Sequence, residues 1–326
     1  MKLNRTTKGR VALESVAMPG PLQGKPRLLA LCSLLVAGCA VSLCIAASSP
    51  ERGLQRAVDR AMAERAGAIV VVDVVSGSIL ASHNLNAAGH VLERPGSTVK
   101  PFVLLALIRS GKLRADERLH CVRPLWVGSV RMDCTHSAAV TELDAEEALA
   151  YSCNSYFAQV SARLSAQELV RGLRQAGLNA PSGLVGDEAV GRIDVPATQT
   201  ELQLEALGDR GIEVTPLELL GAYRKLALQR RNGNSNELEP VFKGLEDSVA
   251  FGIARAASVE GMRIAGKTGT ASSENSAHTH GLFVGYAPAE KPEIVAVVYL
   301  AQGRGLDAAG AAQPVFTEFA HEKREK

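Results

Sequence analysis

Hydrophobic positions along the chain switch between a helical and a strand period. After Ser49-Pro50, a good helix start, Leu54, Val58 and Met62 repeat along one face, which predicts a helix ending near Gly67. Ala68 to Val74 and Ile79 to Ser82 then read as the strands of a hairpin about Ser76-Gly77. From Ser97 to Ser110 a helix is expected, with Gly111 as its stop; Val99, Phe102, Val103, Leu104, Leu105, Leu107 and Ile108 leave it almost no polar face, so it should be buried. Helical patterns dominate from Leu143 to Gln175 and from Pro216 to Gln229. Strand patterns return at Arg263 to Ala271, Leu282 to Tyr286 and Glu293 to Leu300, before a last helix near Ala311 to His321. The polar stretches Arg230 to Asn236 and Gln302 to Gly310 read as loops. This order predicts an α/β (α+β) fold: an antiparallel five-stranded sheet built from both chain ends and flanked by terminal helices, with a mostly helical lobe inserted between its second and third strands.

The N-terminal part has a different pattern. Leu28 to Ala47 is twenty residues without a charge, long enough to cross a bilayer once, and Lys2, Arg5, Lys8, Arg10, Lys25 and Arg27 precede it against Glu14 alone. The division expected is a basic cytoplasmic tail over 1–27, a transmembrane anchor over 28–47 in the plasma (inner) membrane, and an extracytoplasmic domain over 48–326. A cleaved signal ending near Ala47-Ser48 and a lipobox at Val36-Ala37-Gly38-Cys39 are rival readings. The uncleaved anchor is preferred, because uncharged, mostly apolar residues continue for eight positions past Cys39 and no Ala-x-Ala site is sharply placed. The whole chain of 326 residues carries a formal charge of +2, with 46% apolar and 21% charged residues. Beyond Ala47 there remain 30 basic and 33 acidic residues, a net of about −3, so no basic face for nucleic acid is expected.

Candidate chemistry lies in three short motifs: Ser97-Thr98-Val99-Lys100, Ser152-Cys153-Asn154 and Lys267-Thr268-Gly269. A helix starting at Ser97 places Lys100 one turn on and on the same face, where its amine can reach the hydroxyl. Serine is a poor nucleophile at neutral pH. A lysine whose pKa is lowered by burial and by a second cation, here Lys267, can take its proton. No other serine has a lysine three positions later, and it is the conjunction of the motifs, in this order, that is specific.

That set resembles the penicillin-binding protein and serine β-lactamase superfamily. Flanking residues extend the match: Arg94-Pro95-Gly96, Pro101-Phe102, Asn154-Ser155-Tyr156-Phe157 and Gly266 to Ala271. Two further passages, Gly208 to Leu217 and Gly281 to Pro288, are similar to segments of the transpeptidase domain, although Asp209 replaces the usual glutamine and Gly281-Leu282 stands where a tryptophan is common. The resemblance spans roughly Leu54 to Ala320. It implies Ser97 as nucleophile, Lys100 as base, Ser152 as proton relay, and Asn154 holding Lys100 and the substrate's peptide group. It implies Lys267 with Thr268 and Thr270 for a free carboxylate, Gly269 for close approach of substrate backbone, and an oxyanion hole at the backbone N–H groups of Ser97 and Thr270. The expected partners are peptidoglycan stem peptides, β-lactams, the membrane and a cell-wall synthesis complex; no cofactor and no metal are expected. A membrane-anchored D,D-transpeptidase is the leading reading. A D,D-carboxypeptidase uses the same residues, and a β-lactam sensor or partner module is the other alternative. A β-lactamase ranks lower, because neither an E-x-x-L-N loop nor a Y-G-N triplet is present. About twenty residues separate the apolar segment from the first strand, so no pedestal domain is expected before the catalytic part.

Other chemistry-bearing residues receive structural readings. Cys32, Cys39 and Cys44 lie in the apolar segment, where a thiol behaves as a small hydrophobe. For Cys121 and Cys134 a disulfide ranks first, free thiols second, and zinc bound with His120 and His136 third, because the spacing fits no common site. Cys153 is expected to point away from the chemistry, into packing. His278 and His280 read as loop residues, Trp126 as a cleft or loop anchor, and Glu188 is given no catalytic role.

Overall fold

The computed structural model describes residues 50–233, 236–272 and 278–325. The first apolar stripe forms α1 (Pro50–Met62), which ends earlier than expected: the Arg65 N–H turns back onto the Met62 carbonyl at 3.0 Å, and the chain enters the sheet at once. The sheet holds β1 (Gly67–Asp73), β2 (Ile79–His83), β3 (Ala265–Ser272), β4 (Thr279–Ala287) and β5 (Ile294–Leu300) in the order β2-β1-β5-β4-β3, every pair antiparallel. This is the expected sheet, with both chain ends in it.

Alternation along each strand divides the core in two. Val70, Val72, Val284, Val295 and Val297 face the inserted lobe, while Ile69, Val71, Phe283, Ala296 and Val298 face α1 and the C-terminal helix. The insert carries α2 (Lys100–Arg109), α3 (Ala145–Ala150), α4 (Asn154–Ser161), α5 (Ala166–Ala176), α6 (Pro216–Arg231) and α7 (Glu239–Ala250). Chain ends therefore supply a rigid sheet, and the insert closes over its inner face.

Three further boundaries differ from expectation for physical reasons. The stretch 143–175 is three helices, interrupted at Tyr151-Ser152-Cys153 and again before Ser165, whose side chain caps α5. The C-terminal helix α8 (Gly305–Arg324) starts within the expected loop, because Asp307 accepts from the Arg304 N–H at 2.8 Å and the buried Ala308, Ala309, Ala311 and Ala312 let the helix lie close to the sheet. Finally, β4 begins at Thr279, which turns His280 from a loop residue into a fully buried strand residue. The apolar segment Leu28–Ala47 lies outside the described residues; among the described residues no helix is long and apolar enough to cross a membrane.

Phe316 of α8 is fully buried and meets Phe283 of β4 edge to face, with ring centroids 6.2 Å apart. We expect Phe316→Ala to cost about 3–5 kcal/mol, read as a lower urea midpoint; a change below 1 kcal/mol would mean that α8 is not a core element.

Candidate active site

The first motif is set by the proline that follows it. Pro101 has no N–H to return to the Ser97 carbonyl, and the Lys100 N–H bonds to it instead, so the helix starts as a 3₁₀ turn over Gly96–Val99 before α2. Ser97 is half-buried on this turn. Both flanks of the turn are glycine contacts. The Gly96 N–H donates to the Gly208 carbonyl at 3.0 Å, and a Cβ on Gly208 would lie 2.1 Å from the Gly96 oxygen. On the other side a Cβ on Gly269 of β3 would lie 2.3 Å from the Pro95 oxygen. The Gly208 to Leu217 segment thus backs the turn, and the third motif lies directly against it.

Lys100 joins the first motif to the second. Its Nζ donates to Asn154 Oδ1 at 2.6 Å, to the Ser152 carbonyl at 2.9 Å and to Ser152 Oγ at 3.2 Å, and lies 5.1 Å from the Phe157 ring centroid. Lys100 is fully buried, and burial lowers its pKa to about 8 against a smaller opposing pull from the Cys153 and Cys134 sulfurs. Asn154 also donates from Nδ2 to the Met132 carbonyl at 3.1 Å, tying the loop before it to the lysine. Ser152 sits in the left-handed region at φ +55°, a conformation costing a non-glycine residue about 1–2 kcal/mol. The break between α3 and α4 is therefore a strained turn held by hydrogen bonds at its centre.

The third motif runs along β3. Lys267 is fully buried, and its pKa is held well below the usual lysine range by burial first and by the Lys100 charge second. Neither ammonium has a carboxylate partner among the described residues. Thr268 and Thr270 alternate to the opposite face from Lys267: Thr268 is buried against Gly305, whereas Thr270 is exposed with its Oγ1 accepting from the Gly305 N–H at 2.8 Å. Gly269 shares the Lys267 face. Lys100, Ser152 and Asn154 thus meet directly, and Gly269 packs beside the Ser97 turn on the Lys267 face, whereas Thr268 and Thr270 look to the α8 side of β3.

Cys121 and Cys134 are not a disulfide: their sulfurs stand 3.7 Å apart and both are free thiols. Cys153 is buried as expected, but its sulfur faces theirs at 3.6 Å from each, and His136 joins the group while the exposed His120 does not. Cys134 is the thiol held down, by its hydrogen bond with Cys153, whose own thiol is pushed up. His280, missed as a site neighbour, has Nε2 2.7 Å from the Arg94 carbonyl and Nδ1 3.4 Å from Glu93, just ahead of the Ser97 turn. Its signal was the placement of His280 two residues before Leu282, in phase with the strand. Trp126 is exposed on a short hairpin, and Glu188 accepts four hydrogen bonds from residues 182–185, a structural task.

Known proteins share this sheet with its inserted lobe. Residues 67–321 match the penicillin binding protein transpeptidase domain, and the chain belongs to that family. It is 26% identical over 287 residues to the probable peptidoglycan D,D-transpeptidase PenA of Neisseria gonorrhoeae, covering 75% of this chain and 49% of the relative. It is 25% identical over 355 residues to the peptidoglycan D,D-transpeptidase MrdA of Acinetobacter baumannii, covering 82% and 52%. The chain thus spans about half the length of these relatives. The D,D-transpeptidase domain of a peptidoglycan glycosyltransferase from Eggerthella lenta superposes with a TM-score of 0.73 at 24% identity, covering 84% of this chain and 82% of that one. The penicillin-binding protein PBP2 of Helicobacter pylori, solved with MreC, gives a TM-score of 0.73 at 19% identity over 83% and 62%.

The positive φ at Ser152 separates two substitutions. Ser152→Gly and Ser152→Ala both lose the hydroxyl, but only glycine relaxes the backbone, so the glycine variant should be more stable by about 1 kcal/mol. Equal urea midpoints would mean that the turn is not strained.

Proposed function

We propose that the chain is a serine D,D-transpeptidase of peptidoglycan synthesis, with Ser97 as the acylated residue. The observation that carries this reading is the buried Lys100 amine, one turn after Ser97 and held between Ser152 and Asn154, in a seam closed by Lys267. In the proposed reaction Ser97 Oγ attacks the carbonyl carbon of the penultimate D-alanine of a stem peptide and Lys100 Nζ takes its proton. The oxyanion that forms is met by the backbone N–H groups of Ser97 and Thr270. The peptide C–N bond breaks, Ser152 relays a proton to the leaving D-alanine nitrogen, and a serine ester remains. An acceptor amine then attacks that ester, forms the cross-linking amide and returns the proton to Ser97. Lys267 suits the terminal carboxylate, with Gly269 giving substrate backbone a flat strand edge; Thr268, buried behind that edge, and Thr270, whose Oγ1 accepts from the Gly305 N–H, support the strand. A β-lactam carries the same acyl carbon in a strained ring and is trapped as the ester.

We also infer that residues 28–47 hold the domain at the outer face of the plasma membrane, as the uncharged segment and its preceding cations support. Work within a cell-wall synthesis complex fits such a location.

Fluorescent penicillin should label the protein at Ser97, with labelling lost in Ser97→Ala; a labelled Ser97→Ala protein overturns the assignment. D-alanine release that yields cross-linked product with an amine acceptor supports transpeptidation, and release to water alone supports the carboxypeptidase reading. The base must be neutral to accept a proton, and the neutral fraction of Lys100 grows as pH rises. The labelling rate should therefore climb with pH and level off above about 8; a rate flat from pH 6 to 9 would exclude Lys100 as the base.

A further inference from the structure

Behind the second motif, Cys121, Cys134, His136 and Cys153 turn four potential ligand atoms toward one point, all within 4.8 Å of one another. We propose that these residues bind one zinc ion, a structural clasp that holds the Ser152–Asn154 turn in place. Four of the six ligand-to-ligand distances match the edges of a tetrahedron. With Zn–S near 2.3 Å and Zn–N near 2.0 Å, its edges are about 3.8 Å between sulfurs and about 3.5 Å from sulfur to nitrogen. The sulfurs are separated by 3.7 Å (Cys121–Cys134), 3.6 Å (Cys134–Cys153) and 3.6 Å (Cys153–Cys121), and His136 Nε2 lies 3.6 Å from Cys121 Sγ. A Cys₃His set is a closed structural zinc site, with no position left for substrate.

The surroundings support thiolates. Each sulfur accepts one N–H: Cys121 from Arg123 Nε at 3.3 Å, Cys134 from the Ser155 backbone at 3.4 Å, and Cys153 from the Tyr156 backbone at 3.4 Å. These are the outer contacts that orient metal-bound sulfur. His136 Nδ1 lies 3.1 Å from the Ser137 carbonyl, which leaves Nε2 for the metal with Nδ1 carrying the proton. Arg123 Nη2 approaches Nδ1 at 2.7 Å and Nε2 at 3.1 Å. With the ion bound it draws back onto the His136 and Ser137 carbonyls, to which the guanidinium already donates at 2.9 and 3.3 Å. Binding releases to water a proton from each ligand that still carries one, and no electrons change hands.

A disulfide is the competing state, but it uses two sulfurs and strands the third. Zinc uses all three and protects them in an oxidising compartment. The pattern C-x12-C-x-H-x16-C also couples the site to catalysis, because its last ligand lies between Ser152 and Asn154. The ion is thereby a positioning group. It touches no reacting atom.

The test uses the full chain purified without added metal. Elemental analysis should give one zinc per chain, and replacement by cobalt should give the visible bands of a tetrahedral thiolate site; both are read without any reaction. Stripping zinc with a chelator should slow fluorescent-penicillin labelling about tenfold or more, restored by zinc; this arm alone rests on the function proposed above. Cys121→Ser should weaken zinc retention, and if that variant does not fold, the cobalt spectrum of the native chain still decides. Zinc far below one per chain after reconstitution, or a disulfide among Cys121, Cys134 and Cys153 in the intact mass, would overturn the site. Unchanged labelling after complete zinc removal would overturn the clasp.

Discussion

Two lysine ammonium groups buried in one seam, with no carboxylate among the described residues to neutralise either, set the terms for the rest of the molecule. Burying a lone cation costs several kcal/mol, and the Lys100 charge adds repulsion to the cost of Lys267. The seam tolerates this because its walls are oxygen acceptors fixed by the fold. Asn154 Oδ1 and the Ser152 carbonyl receive Lys100, and the Thr268 carbonyl receives Lys267 at 3.3 Å. An amine so placed is easier to deprotonate than one in water, which is the condition for a base beside a serine. The depressed lysine pKa values also have a thermodynamic sign: the unfolded chain holds these protons more tightly, so the destabilisation is full below the folded-state pKa and fades as pH rises toward 10.5. The site is thus a region of stored instability, kept shut by the two cores on either side of the sheet.

Much of this was legible in the sequence because it depends on local chemistry. The nearly all-apolar helix after Ser97 and the strands flanking Lys267 could be read directly, since alternation and periodicity report burial. Alternation along β3 also separates Lys267 and Gly269 from Thr268 and Thr270, yet periodicity shows neither the 3₁₀ start imposed by Pro101 nor the break at Ser152. The first comes from a missing donor, the second from a left-handed residue that is not glycine or asparagine. Gly305 to Gly310 looked like a loop because small residues carry little hydrophobic signal, although smallness is what lets α8 lie against the sheet.

The sulfur cluster was illegible for a different reason. Ligands with 12 and 16 residues between them follow no common metal pattern, and one of them is the middle residue of a catalytic triplet. His120, adjacent in sequence to Cys121, was a natural fourth ligand, but alternation along the short strand Leu119–His120 turns it outward. Cys153 replaces it because the strained turn at Ser152 redirects the chain before α4. Only the tertiary fold brings the 121–136 loop under that turn.

The strain at Ser152 and the cluster behind it are then two sides of one device. A left-handed serine persists only where its surroundings determine it more strongly than its own backbone preference. On the seam side that determination comes from Lys100; on the far side it comes from Cys153, and through Asn154 from the Met132 carbonyl. A divalent ion with three thiolates and a neutral imidazole carries one net negative charge, and Arg123 beside it supplies the balancing positive charge. A clasp built this way fixes the turn mechanically while adding little field at Lys100, so the readiness of the base remains governed by its burial.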